Sequence, residues 1–429
     1  EDGIRDIGVT GVQTCALPIS GIRPMRQSLR IARVMLNNSM NPLINTELNK
    51  SNLAWLDVIE QLSGAHLKPE WGINEIQVKE SVVTVRDEIV LKRTYCNLVH
   101  FKKVDSKLHQ PKLLIVAPYS GHFATLLRGT VEAMLPEHDV FITDWLDCKH
   151  IATDQDRFNL NDFIDYLIDF LHFLGPKTHV LAVCQPTVAA LAATAIMSDW
   201  GDRCQPTSLS LIAGPIDTRV NPTKVNEFAK SHDLDWFQKH LIQPVPPPFL
   251  GMGRRVYPGF LQLNSFMAMN ADRHSMSIDL MHEALVKGDQ EESHRRKAFY
   301  DEYLSVMDLT EEFYLQTIKE VFQEHSLPQG KMMSRWHPVD TRHIRKSYLM
   351  VIEGEEDDIC GVGQTKAALD ITPHLPEKHK RYELIKGVGH YGTFNGGVFR
   401  KNIAPLIKQF IQDAEQHHEV TVQIGRAHV

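Results

Sequence analysis

The chain has 429 residues, long enough for one large α/β domain with an insertion or for two domains. Its 43% hydrophobic and 23% charged residues are ordinary for a globular protein. A formal charge of −7 argues against nucleic-acid binding as the main task, which needs a concentrated basic surface, and no apolar run reaches the ~18–20 residues that span a bilayer.

The first stretch, "RDIGVTGVQTCALPIS", has neither a helical nor a strand period and stops abruptly before "GIRPMRQSLRIARVML". One codon choice for "QTCALPI", read on the opposite strand, encodes the terminal "IGRAHV". Both strings resemble translated sequencing adaptor. Residues 1–20 and 424–429 are therefore expected to be foreign to the protein.

Residues 21–110 are expected to form N-terminal helices and antiparallel strands that join a sheet. "LRIARVML" and "LAWLDVIEQL" carry the helical period; the residues from "NEIQVKESVV" to "NLVHFKKV" alternate apolar and polar, as two or three antiparallel strands do. The pattern changes at "LLIVAPYSGH". This short apolar run, followed by "DVFITDW" (139–145), "HVLAVC" (179–184), "LSLIAG" (209–214) and "YLMVIEG" (348–354), suits strands buried on both faces of a parallel sheet. Helical patterns at 160–175 and 186–200 separate the early runs, which implies a doubly wound α/β core over 111–217 and 340–423. The intervening 218–339 is far longer than an ordinary connection and reads as a helical cap.

Six cysteines occur, at 15, 96, 148, 184, 204 and 360, with no CxxC pair; they read as free thiols. Cys184 stands where an apolar strand meets a helix, in "LAVCQPTV". One reading is a buried structural thiol. The other is a nucleophile on a sharp strand-to-helix turn, where the next backbone N–H and the helix N-terminus favour thiolate and oxyanion. The frame Ala182-Val183-Cys184-Gln185-Pro186 departs from Gly-x-Ser-x-Gly, but Ala182 is small and proline is tolerated at the first helical position.

Two later segments favour the nucleophile. "VIEGEEDDICG" ends a strand in carboxylates, of which Asp357 or Asp358 could serve as the triad acid; the spacing favours Asp357. "YELIKGVGHYGTFNG" carries His390 on a Gly-rich turn after the last strand. The chain order nucleophile, acid, histidine fits this fold class. Oxyanion donors are expected from Gln185 and from Tyr119 and Ser120 in the loop after an early strand, with Gly121 and His122 beside them as candidate substrate contacts; Ser120 is the rival nucleophile.

These segments, with "APYSGHFATLLRGTVEAMLPEHDVFITDWLD", resemble the intracellular polyhydroxyalkanoate (polyhydroxybutyrate) depolymerases over most of residues 25–420. The resemblance implies an α/β-hydrolase fold and a Cys184, Asp357, His390 triad. It further implies hydrolysis of poly(3-hydroxybutyrate) on cytoplasmic storage granules, without a cofactor, to 3-hydroxybutyrate oligomers or monomer. In the cap, "PVPPPFLGMGRRVYPGFLQLNSFMAMN" offers Phe249, Tyr257 and Phe260 as candidate polymer contacts; packing beneath the cap is the alternative. Two other functions compete: a polyhydroxyalkanoate synthase-like acyltransferase, or a thiolysis reaction using coenzyme A, and a non-catalytic granule protein. "RWHPVDTRHIRK" has no metal-ligand spacing, and "GVGQTKAAL" lacks a full phosphate-binding frame, so no metal or nucleotide is expected.

Overall fold

Apolar runs too short for helices and bounded by turn residues become the centre of one nine-stranded sheet. The computed structural model describes residues 18–63, 66–104, 108–155, 157–269 and 271–427. Of the terminal residues expected to be foreign, 1–17, 428 and 429 lie outside these. Pro18 opens a helix to Leu36, and residues 424–427 close the helix Ala404–Ala427.

The sheet strands are β1 (Glu75–Val78), β2 (Ser81–Lys92), β3 (Cys96–Lys103), β4 (Lys112–Val116), β5 (Asp139–Trp145), β6 (Thr178–Val183), β7 (Ser208–Ile212), β8 (Tyr348–Gly354) and β9 (Lys380–Ile385). Their order is β1-β2-β3-β5-β4-β6-β7-β8-β9. β1, β2 and β3 pair antiparallel, and β3 meets β5 antiparallel. Every pair from β5 to β9 is parallel. Without the β1 hairpin, the remaining eight strands follow the α/β-hydrolase order, the antiparallel second strand included. The 75–103 region thus extends the sheet as three strands.

The alternation of strand and helix drives this winding, because each crossover must return over a face of the sheet. The helix Leu160–Leu174 begins with a reciprocal cap: Asn159 accepts from the Asp162 N–H at 3.2 Å, and Asp162 accepts from the Asn159 N–H at 2.8 Å. The helix Thr187–Asp199 is buried at every position from Thr187 to Met197, which explains its apolar, Ala-rich sequence.

By packing, the chain forms two compact units. Among the described residues, one comprises 18–69 and Phe260–Val306, the other Glu70–Gly259 and 307–427. In the first, the helices Glu47–Leu62 and Ala271–Lys287 meet through Trp55 stacked on His282 at 4.4 Å and Ser51 Oγ 3.1 Å from His282 Nε2. In the second, the outer parts of the 218–339 insertion build a small sheet from Gln243–Pro244, Arg255–Tyr257 and Leu309–Thr310. That part is tied to the loops after β4 and β5: the Met307 N–H donates to Gly121 O at 2.7 Å, and the Cys148 thiol to Asp308 O at 3.0 Å.

Candidate active site

Cys184 follows the last residue of β6 and has φ +64°, a left-handed backbone unusual for a side chain larger than glycine's. The corner is held from both sides. The Cys184 N–H donates to Ile212 O at 2.7 Å, and the Thr187 N–H and hydroxyl donate back to Cys184 O at 3.1 and 2.8 Å. Pro186 takes the N-cap, one position before the first helical residue, and its carbonyl accepts from Ala190 at 2.8 Å. Gly214, two residues past the end of the neighbouring strand β7, lets this turn close: a Cβ there would lie 1.8 Å from the Thr187 hydroxyl.

Asp357 lies in the turn after β8, with its side chain out of solvent. One carboxylate oxygen accepts from the Ile359 and Cys360 N–H groups at 2.9 and 2.8 Å; the other is 2.8 Å from His390 Nδ1. Asp358, next to it, is exposed. The turn is pinned from behind by Glu353, a buried carboxylate that accepts from the N–H groups of Gly363, Thr365 and Lys366 and from the Tyr382 hydroxyl. The acid and histidine loops touch directly. The Glu356 N–H donates to Val388 O at 3.0 Å, an approach that a Cβ on Gly354, 2.4 Å from the same oxygen, would obstruct.

His390 is buried on a short 3-10 turn, edge-on to Tyr391 and Phe394, with its Nδ1 2.8 Å from Asp357. With Nδ1 facing Asp357, Nε2 is the nitrogen left for the sulfur. Burial opposes the imidazolium charge, but the Asp357 carboxylate and the Cys184 sulfur outweigh it and hold His390 well above its usual range. Cys184 moves the other way, down to about 5. A hydrogen bond from Cys360 is the largest cause; burial opposes it, and His390 adds to the lowering. Cys360 itself, buried and facing that thiolate, is held well above the usual thiol range. A thiolate-imidazolium pair, with Cys360 S–H donating to the thiolate, is the charge state these contacts favour.

The other candidates divide. The Gln185 side chain accepts from the Tyr119 N–H at 3.3 Å, which joins the Cys184 turn to the loop after β4. The Tyr119 ring is fully buried against Trp145, Phe158 and Phe313, so only its backbone can face a reacting group. Ser120 is partly exposed; Gly121 has φ +106° and His122 is buried. Phe249 is half-buried, edge-on to His150. Tyr257 is buried, stacked 3.9 Å from Tyr314 inside the insertion, and Phe260 falls in the first unit. Cys360 and the Gln185 side chain are the site groups that the sequence reading passed over. The only signal was position: Cys360 stands three residues after Asp357.

Among the described residues, no group of three or more His, Cys, Asp or Glu side chains could hold a metal ion, and no helix is long and apolar enough to cross a membrane. Residues 213–415 match a family model described as PHB de-polymerase C-terminus. Over that region the chain is similar to the PHB depolymerases. It contains Asp357, Cys360 and His390, whereas Cys184 precedes it. No curated protein matches by sequence. Solved structures that resemble this chain include the α/β hydrolase GrgF from Penicillium sp. sh18, 15% identical with a TM-score of 0.44, covering 77% of this chain and 98% of that one. A 2-hydroxy-6-oxo-6-phenylhexa-2,4-dienoate hydrolase from Rhodococcus sp. strain RHA1 is 11% identical, TM-score 0.40, covering 77% and 99%. A thermophilic esterase from Thermogutta terrifontis is 11% identical, TM-score 0.39, covering 79% and 98%.

Proposed function

We propose that this protein hydrolyses the ester bonds of poly(3-hydroxybutyrate) on storage granules in the cytoplasm, through an acyl-enzyme on Cys184. The observation that carries the reading is the linked set Cys184, His390, Asp357 at a strand-to-helix corner, in a chain whose 213–415 region matches the depolymerase family.

The Cys184 thiolate attacks the ester carbonyl. Backbone N–H groups of Gln185 and of the 119–120 loop receive the oxyanion, each worth about 3 kcal/mol in comparable sites. The Tyr119 N–H is occupied at rest by the Gln185 carboxamide at 3.3 Å, a long bond that a developing oxyanion can replace. His390, charged at rest, gives its Nε2 proton to the departing alkoxide. It then takes a proton from water, and the resulting hydroxide cleaves the thioester. Asp357 holds the ring in the required tautomer throughout.

The test is incubation of the full chain with amorphous poly(3-hydroxybutyrate) granules, with and without coenzyme A, and identification of the products. Free 3-hydroxybutyrate or its oligomers, lost in Cys184→Ala, support the proposal. Acyl-coenzyme A formed only when coenzyme A is present would support the acyl-transfer alternative. Hydrolysis by Cys184→Ala at the parent rate would remove Cys184 from the mechanism.

A further inference from the structure

We propose that the loop 245–254 docks the protein on the surface of a neutral polyester particle, with Leu250 and Met252 as the side chains that enter it. Leu250 is 71% exposed and Met252 57%. Pro246, Pro247 and Pro248 before them are exposed as well. The residues 246–253, "PPPFLGMG", carry no ionisable group and no side-chain hydrogen-bond donor. A contiguous exposed apolar segment of this kind marks an interaction site.

The exposure is built, because the backbone of the loop is tied down. It links the antiparallel strands Gln243–Pro244 and Arg255–Tyr257. The Val245 N–H donates to Arg254 O at 2.8 Å, and the Gly253 N–H to Val245 O at 2.9 Å. Between the two exposed side chains, Gly251 is buried: its N–H donates to Lys149 O at 2.9 Å, and a Cβ there would lie 2.8 Å from Cys148 O. The Arg254 guanidinium closes the base, donating to the Tyr95 hydroxyl at 2.8 Å and to Ala152 O at 2.6 Å. Phe249 is half-buried against His150, ring to ring at 5.4 Å, and braces the tip from one side. A tip fixed before contact loses little conformational freedom on docking.

Position and chemistry select the occupant. Lys149 and Ala152 follow β5, and Cys184 follows β6; both strands run parallel to β4, so the loop is moored at the same end of the sheet as the thiol. A particle seated on it therefore lies at the end where its esters are to be cut. Poly(3-hydroxybutyrate) is uncharged and presents methyl groups and ester oxygens, which an apolar tip covers without burying an ion. A polyanion would need free cations at the contact, and Lys149 beside the loop is paired with Asp147 at 2.6 Å.

The proposal rests on the polyester reading above, and adsorption is measured apart from cleavage so that the two can fail separately. The full chain and its Leu250→Ser/Met252→Ser variant are mixed with amorphous poly(3-hydroxybutyrate) particles and sedimented, and the protein left in solution is quantified. The double variant should adsorb about tenfold more weakly, or worse, because two apolar side chains no longer leave water. Turnover of particles should fall with it, while kcat/KM on a soluble 3-hydroxybutyrate dimer, which needs no docking, stays within about twofold. Trp336, 92% exposed at the tip of another hairpin, supplies the control: Trp336→Ser should adsorb as the parent does. Unchanged adsorption of the double variant would overturn the proposal, as would an equal loss in Trp336→Ser. So would a parental dimer that the double variant turns into a monomer on size-exclusion chromatography, since the loop would then belong to a second copy. A parent that adsorbs through the loop but cleaves neither particle nor dimer would keep the docking and remove the hydrolytic reading.

Discussion

Replacing Asp357 by asparagine tests the site at the bond that orients it. The substitution keeps the volume but removes the charge. Its amide oxygen would stay with the two backbone donors, Ile359 and Cys360, at 2.9 and 2.8 Å, because only an acceptor suits them. The NH2 group would then face His390 Nδ1 at 2.8 Å. A donor there forces the ring proton onto Nε2 in the neutral imidazole, so the nitrogen near the sulfur no longer acts as a base. Losing a charge-assisted hydrogen bond costs about 1.5–3 kcal/mol, and the wrong tautomer adds to it. In a comparable triad the combined effect is about 10⁴-fold in kcat, or roughly 5 kcal/mol. The assay is steady-state cleavage of a soluble 3-hydroxybutyrate dimer, with circular dichroism to show the fold intact. KM should change little, since Asp357 is sealed behind His390. A folded Asp357→Asn retaining more than about a tenth of parental kcat would refute the assignment.

The lowered Cys184 value predicts that iodoacetamide alkylation stays fast as pH falls and reaches half its plateau rate near about 5, because the thiolate persists above that point. In Cys360→Ala the half-point should move up, since the largest lowering influence is gone; a half-point unchanged would show that the Cys360 hydrogen bond does not tune the thiolate. Gly354→Ala sets a methyl 2.4 Å from Val388 O, so the histidine loop must shift; stability in denaturant titration should fall by about 1–3 kcal/mol, and turnover by more than stability alone explains. Gln185→Ala removes the 3.3 Å bond that ties the Cys184 turn to the Tyr119 loop; a stability loss of about 1 kcal/mol is expected in denaturant titration, with no fall in kcat on the soluble dimer, since the freed Tyr119 N–H is the proposed oxyanion donor.

The strands and crossover helices were legible in the sequence because their signals are local. "DVFITDW" and "YLMVIEG" span β5 and β8 to the residue, and the helix patterns at 160–175 and 186–200 are each within a residue or so of the helices formed. The strand end at Cys184 was readable too, as an apolar run meeting an Ala-rich helix. In the insertion the same signals said less. "PVPPPFLGMGRRVY" is apolar whether it faces solvent or a core, and Tyr257 proves to be packed against Tyr314 while Leu250 is 71% exposed. Periodicity distinguishes the faces of an element only when the element is long enough to repeat, and these strands are two or three residues long.

The sequence by itself thus determined the parallel core, the corner bearing Cys184, and the turns bearing Asp357 and His390, since each follows from hydrophobic pattern and turn chemistry within a few residues. Tertiary structure alone decided that residues 260–306 pack with the N-terminal helices, that the Gln185 carboxamide holds the Tyr119 N–H, and that the Cys360 thiol meets Cys184. The physical reason is strand order. β6 and β8 flank β7, so groups 176 residues apart in the chain converge above one strand, and no local pattern records such a meeting.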